Sequence, residues 1–210
     1  MEKTFFNKCY LQGKDRDMST TQPIKKIDEI HALRQFFYNK GEIRNYVLIT
    51  LGINMALRIS DLLQIQWKDI WNFETQCFKE HIAISEQKTG KIANIYLNRQ
   101  CLECLGELKK SLNDNIYPTE YIFKSRVGQN SHIGRNRAYV IIKKACSSLG
   151  YEGNLSCHSL RKTFGYHAWK QGVSPAVIMS IYNHSSMEVT KRYLSIEQDD
   201  KDEVYRNIIL

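Results

Sequence analysis

The sequence predicts a mainly helical fold with one small antiparallel β-sheet, an α+β arrangement. Three observations carry this. Apolar residues recur at three- and four-residue spacing through most of the chain. Between His81 and Leu97 that period gives way to two β-rich runs flanking Lys88-Thr89-Gly90-Lys91. No stretch approaches about 18 uninterrupted apolar residues, so no membrane span is expected. The chain shows no internal repeat.

The elements follow in order. Residues 1–22 are mixed and polar, with Phe5, Phe6, Tyr10 and Leu11 as their apolar cluster, and read as a loose or docking tail. Met18 is an alternative start. After Pro23, Ile27, Ile30, Leu33, Phe36 and Phe37 sit at helical spacing, with Asp28 near the cap and Gly41 as the stop. Ile43 to Leu57 is apolar nearly all round and predicts a buried helix. Ser60 reads as the cap of a short helix over Asp61 to Gln66. His81–Ser85 and Ile92–Leu97 form a hairpin with a basic tip. Helices return at Arg99–Leu112, Gly134–Leu149, Ser159–Gln171, Pro175–Tyr182 and Met187–Tyr193.

The 210 residues hold 30 Lys and Arg against 22 Asp and Glu, a net charge of +8. Glu197, Asp199, Asp200, Asp202 and Glu203 crowd the end, so the body before them is more basic still. A basic body points to a polyanion, nucleic acid first. The first ten residues lack the apolar core of a signal peptide, so an intracellular, cytoplasmic protein is expected. The six cysteines include Cys101 and Cys104 in a C-x-x-C arrangement, with no second pair at zinc-finger spacing. Leu102, Leu105, Leu108 and Leu112 around them have helical spacing, so buried thiols are expected there and no metal.

No phosphate-binding glycine loop, dinucleotide fingerprint, zinc-protease helix or serine-nucleophile elbow occurs. No carboxylate cluster offers a two-metal site. Three stretches carry potential chemistry. In Cys157-His158-Ser159-Leu160-Arg161, His158 and Arg161 lie three apart at a helix start and can face one point. An arginine fork there could hold two phosphate oxygens and the histidine donate a third hydrogen bond. A capped helix with a surface arginine is the plainer alternative. In Ala56-Leu57-Arg58-Ile59-Ser60-Asp61, Arg58 follows an apolar run and needs a partner, for which Asp61 is placed. A purely structural pair is equally open. In Tyr182-Asn183-His184-Ser185-Ser186 through Tyr193, Asn183 reads as a helix stop and Ser185 or Ser186 as the next cap. Taken singly, Tyr193 reads as a core residue and His184 as a satisfied polar group.

Taken together and in this order, with Lys88 on the hairpin between, the stretches resemble the tyrosine recombinase family of phage integrases and related DNA invertases. That family's set of Arg, Lys, His-x-x-Arg, His or Trp, and Tyr falls on Arg58, Lys88, His158, Arg161, His184 and Tyr193. Leu57 to Leu62, Lys88-Thr89-Gly90, Leu160, Thr163, Phe164, His167, Gly172, Ser185, Ser186, Thr190 and Leu194 extend the match. The resemblance covers about residues 24–196. It implies a division into a 1–22 tail or linker remnant, a 23–196 catalytic domain and a 197–210 acidic and apolar tail.

Two departures stand out. Tyr182-Asn183 replaces the family's usual Leu-Gly, and asparagine is the best substitute for glycine at positive φ. Many members also carry a core-binding domain of roughly a hundred residues ahead of the catalytic one. The chain therefore resembles the short members, such as the fimbrial phase-switch invertases, or a truncated form.

The resemblance implies integration, excision or inversion of DNA through a 3′-phosphotyrosine intermediate. Tyr193 would be the nucleophile, and Arg58 and Arg161 would hold the non-bridging oxygens. His158 and His184 would add hydrogen bonds, with His158 a candidate base. Lys88 would protonate the departing 5′-oxygen, and Asp61 would orient Arg58. The expected partner is double-stranded DNA, with no membrane, cofactor or metal. A free monomer, a tetramer on paired sites and an accessory DNA-bending protein complete the expectation, with nucleoid association when bound. A regulator of the same fold without strand exchange is the alternative. A relaxing enzyme of the type IB topoisomerase kind and, further off, an RNA-binding domain are the others.

Overall fold

The computed structural model describes residues 21–194 and 205–208. Met18, nearly all of the 1–22 tail and the acidic residues from 197 to 203 lie outside the described residues. Thirteen elements follow one another among the described residues: α1 (Ile27–Tyr38), α2 (Ile43–Asn54), α3 (Ile59–Leu63), α4 (Trp67–Ile70), β1 (Trp71–Asn72), β2 (Cys77–Phe78), β3 (His81–Ser85), β4 (Ile92–Tyr96), α5 (Arg99–Ser111), α6 (Arg135–Ser148), α7 (Cys157–Lys170), α8 (Pro175–Tyr182) and α9 (Met187–Leu194). The fold is the mainly helical one expected, with small antiparallel β-structure. No helix among the described residues is long and apolar enough to cross a membrane.

Helix α2 is the axis of the molecule. Every residue from Tyr46 to Ile53 is buried, and α1, α5 and α7 all pack against it. Such a helix cannot end in open water, and the way it ends builds the first piece of the site. Ala56 takes a left-handed φ of 55° and stops the helix, which therefore closes at Asn54 rather than at Leu57. The chain then runs extended through Arg58, with ψ at 146°, and α3 starts at Ile59. Ser60 consequently lies inside α3, and the cap position falls on Arg58.

The hairpin forms as its pattern predicts. Strands β3 and β4 pair from His81↔Tyr96 to Ser85↔Ile92. Ile82 and Ile84 are buried, while Ile92 is largely exposed. Helix α4 and the β1–β2 pair had no sequence signal, because elements of two to four residues cannot show a period. Asn72 closes their turn by accepting hydrogen bonds from the Glu74 and Thr75 N–H groups. On α5, Cys101 and Cys104 are fully buried, and burial pushes the Cys101 thiol up to about 12. They are the packed, inert thiols that the helical spacing predicts.

The core divides in two. A large cluster runs from Ile24 and α1 through α2, α5 and α6 to Leu160. A small one holds Ala56, Ile178, Tyr182 and Leu194, with Phe164, Trp169 and Tyr193 partly buried against it. Helix α7 joins the two. Its capping box, Ser156 with Ser159, fixes the start of the helix that carries His158 and Arg161. Thr163 on the same helix accepts the Ile24 N–H at 2.9 Å, so the segment before α1 is stitched across α7.

Candidate active site

Arg161 is almost completely buried, at 3% exposure, so the plain surface-arginine alternative does not hold. Its Nη1 donates to the Ala56 carbonyl at 2.5 Å and its Nη2 to the Tyr182 carbonyl at 3.1 Å. The guanidinium also lies over the Tyr182 ring at 4.7 Å. Two helix ends, those of α2 and α8, thus turn their terminal carbonyls onto one cation. Helix C-termini carry unsatisfied carbonyls and a partial negative charge, which suits the arrangement. Burial lowers the Arg161 pKa from its ordinary value, though not enough to discharge a guanidinium.

Arg58 has a different partner from the one its sequence neighbourhood suggests. Its Nη1 lies 2.9 Å from Oε2 of Glu86, whose side chain is 1% exposed. Asp61 is also buried, but its Oδ1 accepts the Gln87 backbone N–H at 3.1 Å. Asp61 therefore anchors the strand end of the hairpin. Glu86 follows β3 directly. Its N–H donates to the Lys91 carbonyl at 2.9 Å, and its carbonyl accepts from Gly90, where φ is +67°. Sequence reading missed Glu86 because its pairing with Arg58 spans 28 positions, outside any local motif. An acidic residue two before the basic tip was the available signal.

Lys88 stands exposed on the hairpin tip. Its neighbour Thr89 donates to Glu86 Oε2 at 2.7 Å, which ties the tip to the Arg58 carboxylate. Asn183 also donates to that oxygen, from Nδ2 at 3.2 Å. Asn183 has φ 52° and ψ 40°, the left-handed turn expected after α8. His184 follows it, and its Nδ1 lies 3.0 Å from Thr190 Oγ1 on α9. Ser186 accepts the Val189 N–H and caps that helix.

Tyr193 projects from α9 into the same place. Its ring centroid lies 5.0 Å from His184 and 5.0 Å from Tyr182, both edge-on. The Lys162 ammonium sits 5.3 Å from the Tyr193 ring centroid and donates to the Thr21 carbonyl at 2.6 Å. Burial raises the Tyr193 pKa above that of free tyrosine, while the charges of Arg161 and Arg58 pull it back. The phenol therefore stays protonated at neutral pH. His158 is surface-exposed, yet partial desolvation lowers its pKa, followed by the charges of Arg161, Arg135, Lys162 and Arg58. His184 is lowered by burial, then by Arg161 and Arg58. Both imidazoles are consequently neutral at pH 7.

The arrangement gathers cations, neutral imidazoles and one phenol at the ends of α2, α7, α8 and α9. Among the described residues, no group of three or more His, Cys, Asp or Glu side chains could hold a metal ion. Such an arrangement of cations, imidazoles and a phenol can bind a phosphodiester and present a hydroxyl to it.

Comparison with known proteins agrees. The sequence profile of the phage integrase family matches residues 25–199. A probable integrase/recombinase from Bacillus subtilis, YoeC, is 37% identical over 90% of this chain and 97% of its own length. A crystal structure of XerA recombinase superposes with a TM-score of 0.72 at 17% identity, over 94% of this chain and 68% of that one. A XerH site-specific recombinase bound to a palindromic difH substrate gives 0.68 at 17% identity, over 87% of this chain. This chain spans only 51% of that XerH chain.

Proposed function

The chain belongs to the phage integrase family, and from that premise we propose that it is a site-specific DNA recombinase working through a 3′-phosphotyrosine intermediate. One observation carries the reading. Tyr193 lies against His184 and feels the charges of Arg161 and Arg58 from its own chain. A phenol so placed serves the phosphate its own protomer binds.

The chemistry follows from the side chains. Arg58 and Arg161 hold the non-bridging oxygens of the scissile phosphate and stabilise the charge that builds on them in the transition state. The neutral His158 takes the phenol proton as Tyr193 Oη forms its bond to phosphorus. The bond from phosphorus to the 5′-oxygen breaks, and Lys88 gives that oxygen its proton. Phosphotyrosine at the 3′ end and a free 5′-hydroxyl result. The stored phosphodiester energy lets a 5′-hydroxyl of another strand reverse the step without ATP. The guanidinium groups of Arg58 and Arg161 supply the positive charge that metal ions supply in other phosphoryl-transfer sites. The raised pKa of Tyr193 keeps the phenol protonated at neutral pH, so its attack requires a base.

Double-stranded DNA is the proposed substrate, with a free monomer assembling to a tetramer on paired sites. Residues 23–196 are the proposed catalytic unit, comparable to the short fimbrial invertases. Cytoplasmic residence, nucleoid association on DNA and help from a DNA-bending protein belong to the same proposal.

The test is covalent capture. A duplex from the ends of the element that encodes the chain, nicked near the expected crossover, is incubated with protein in EDTA. A denaturant-stable adduct is expected from the wild type, and none from Tyr193→Phe, which still binds. Tight, salt-sensitive binding without any adduct would favour the regulator. A requirement for Mg²⁺ would point to a metal-dependent nuclease.

A further inference from the structure

We propose that Glu86 is a positioning residue that locks Arg58, the Lys88 tip and the His184 turn into one frame through a single carboxylate. The proposal rests on the recombinase reading for its chemical consequence, while its geometry stands independently. Oε2 of Glu86 meets Arg58 Nη1 at 2.9 Å, Thr89 Oγ1 at 2.7 Å and Asn183 Nδ2 at 3.2 Å. These three partners come from the start of α3, the β3–β4 turn and the α8–α9 turn. Each adjoins or is a residue of the reacting set. No other carboxylate among the described residues joins three of these segments.

Burying a carboxylate is unfavourable unless charge and hydrogen bonds offset it. Here burial pushes the Glu86 pKa up, but the Thr89, Arg58 and Asn183 interactions outweigh it and hold the group below its ordinary value. Glu86 is therefore ionised, and it neutralises part of the charge that Arg58 would offer a phosphate. Nη1 of Arg58 is buried against Oε2 of Glu86 at 2.9 Å, so this nitrogen serves the ion pair. The Arg58 side chain is still 20% exposed, so it remains accessible while its position is held. This is an arrangement that trades binding strength for placement.

Asn183 gives the idea a second support. Where the family usually has glycine, this chain has a residue that takes the same left-handed turn and adds an amide aimed at Glu86. Glycine would supply the turn alone. The departure and the buried carboxylate explain one another.

Two variants separate this role from simple stability. Glu86→Gln keeps the shape and removes the charge. Asn183→Gly keeps the turn and removes the bond. Thermal unfolding confirms that each is folded. On a generic 30-base-pair duplex, Glu86→Gln should bind more tightly, with the salt dependence steepened by up to about one counterion. On the nicked duplex at saturating protein, it should form adduct about tenfold more slowly. In an Arg58→Ala background the binding effect should disappear, because it acts through Arg58, while part of the adduct effect should remain, because the same carboxylate holds the Lys88 tip and the His184 turn. Asn183→Gly should slow adduct formation about threefold with unchanged salt dependence. Weaker binding together with a lowered melting temperature would show a merely structural residue and overturn the proposal. So would a binding effect of full size in the Arg58→Ala background. If the wild type forms no adduct, the recombinase reading fails, and the binding limb still decides whether Glu86 restrains Arg58.

Discussion

Arg58 stands between Leu57 and Ile59 of the large apolar core and Arg161 follows Leu160 of the same core, whereas His184 and Tyr193 stand on the α8–α9 turn and on α9, over the small cluster of Ala56, Ile178, Tyr182 and Leu194. The first region is held by α2, a helix buried along most of its length, and Arg161 reaches across to the second through the Ala56 and Tyr182 carbonyls. The second is eight-residue helices joined by one left-handed asparagine. The difference teaches where precision is stored. The cations proposed to meet a phosphate are placed by the larger core, which is where electrostatic catalysis would gain most. The nucleophile rests on a thin support, where local opening costs little of the global stability.

Arg161→Ala should break the comparison most completely. It removes a phosphate clamp and leaves two buried carbonyls without their donor. Adduct formation should fall a hundredfold or more. The melting temperature should fall as well, since each stranded group costs about 1–3 kcal/mol. A stable protein with unchanged cleavage would refute both roles together.

A pair of glycines sharpens the contrast. A Cβ at Gly165 would collide with the Tyr182 hydroxyl and would lie 2.6 Å from Leu194 Cδ2, in the small cluster. A Cβ at Gly52 would lie 2.6 Å from Leu160 Cδ1, the end of a side chain in the large one. The Tyr182 hydroxyl donates to the Arg161 carbonyl at 2.6 Å, so Gly165→Ala displaces α8 and α9 together. We expect it to slow adduct formation by about tenfold to a hundredfold while DNA binding is kept, since a misplacement of about 1 Å can cost that much. Gly52→Ala should cost about 1–3 kcal/mol of stability by overpacking. Its cleavage rate, measured well below the melting temperature, should change much less. Denaturation curves and single-turnover rates for the two variants provide the check.

The smallest expected effect is on pH. His158 and His184 have folded pKa values below the ordinary value of about 6.5, so the unfolded chain binds protons that the folded chain refuses. The stability they contribute is complete above about pH 6.5 and is lost as pH falls below it. Melting temperatures of the free protein should drop between pH 7.5 and 5.5. His184→Asn should shrink that drop, and an unchanged pH profile would remove His184 from the account.

Much of this organisation was legible in the sequence, for identifiable reasons. Helices α5 to α9 are long enough for the 3.6-residue period to show, and Asn183 announced its turn because few residues tolerate positive φ. The early end of α2 was hidden, because Ala56 in a left-handed conformation breaks no propensity rule visible in an apolar run. Arg161 looked like a surface residue locally. Its burial is imposed by two helix ends that lie more than 20 positions away on either side. Asp61 was assigned to Arg58 by proximity along the chain, but a tertiary contact brought Glu86 instead. Local spacing identified which residue types gather, and the partners that hold them were set by packing.

The central claim is that Tyr193, and no other hydroxyl, takes up the DNA. Tyr182 lies within 5.0 Å of it ring to ring and is the natural competitor, although its own hydroxyl is buried and committed to the Arg161 carbonyl. The direct measurement is to digest the covalent adduct with trypsin and nuclease and locate the residual nucleotide by tandem mass spectrometry. Cleavage after Arg192 releases a peptide that begins with Tyr193. The account predicts the nucleotide on Tyr193, linked through a 3′-phosphate. A nucleotide found on Tyr182, on a serine or through a 5′-phosphate would contradict it.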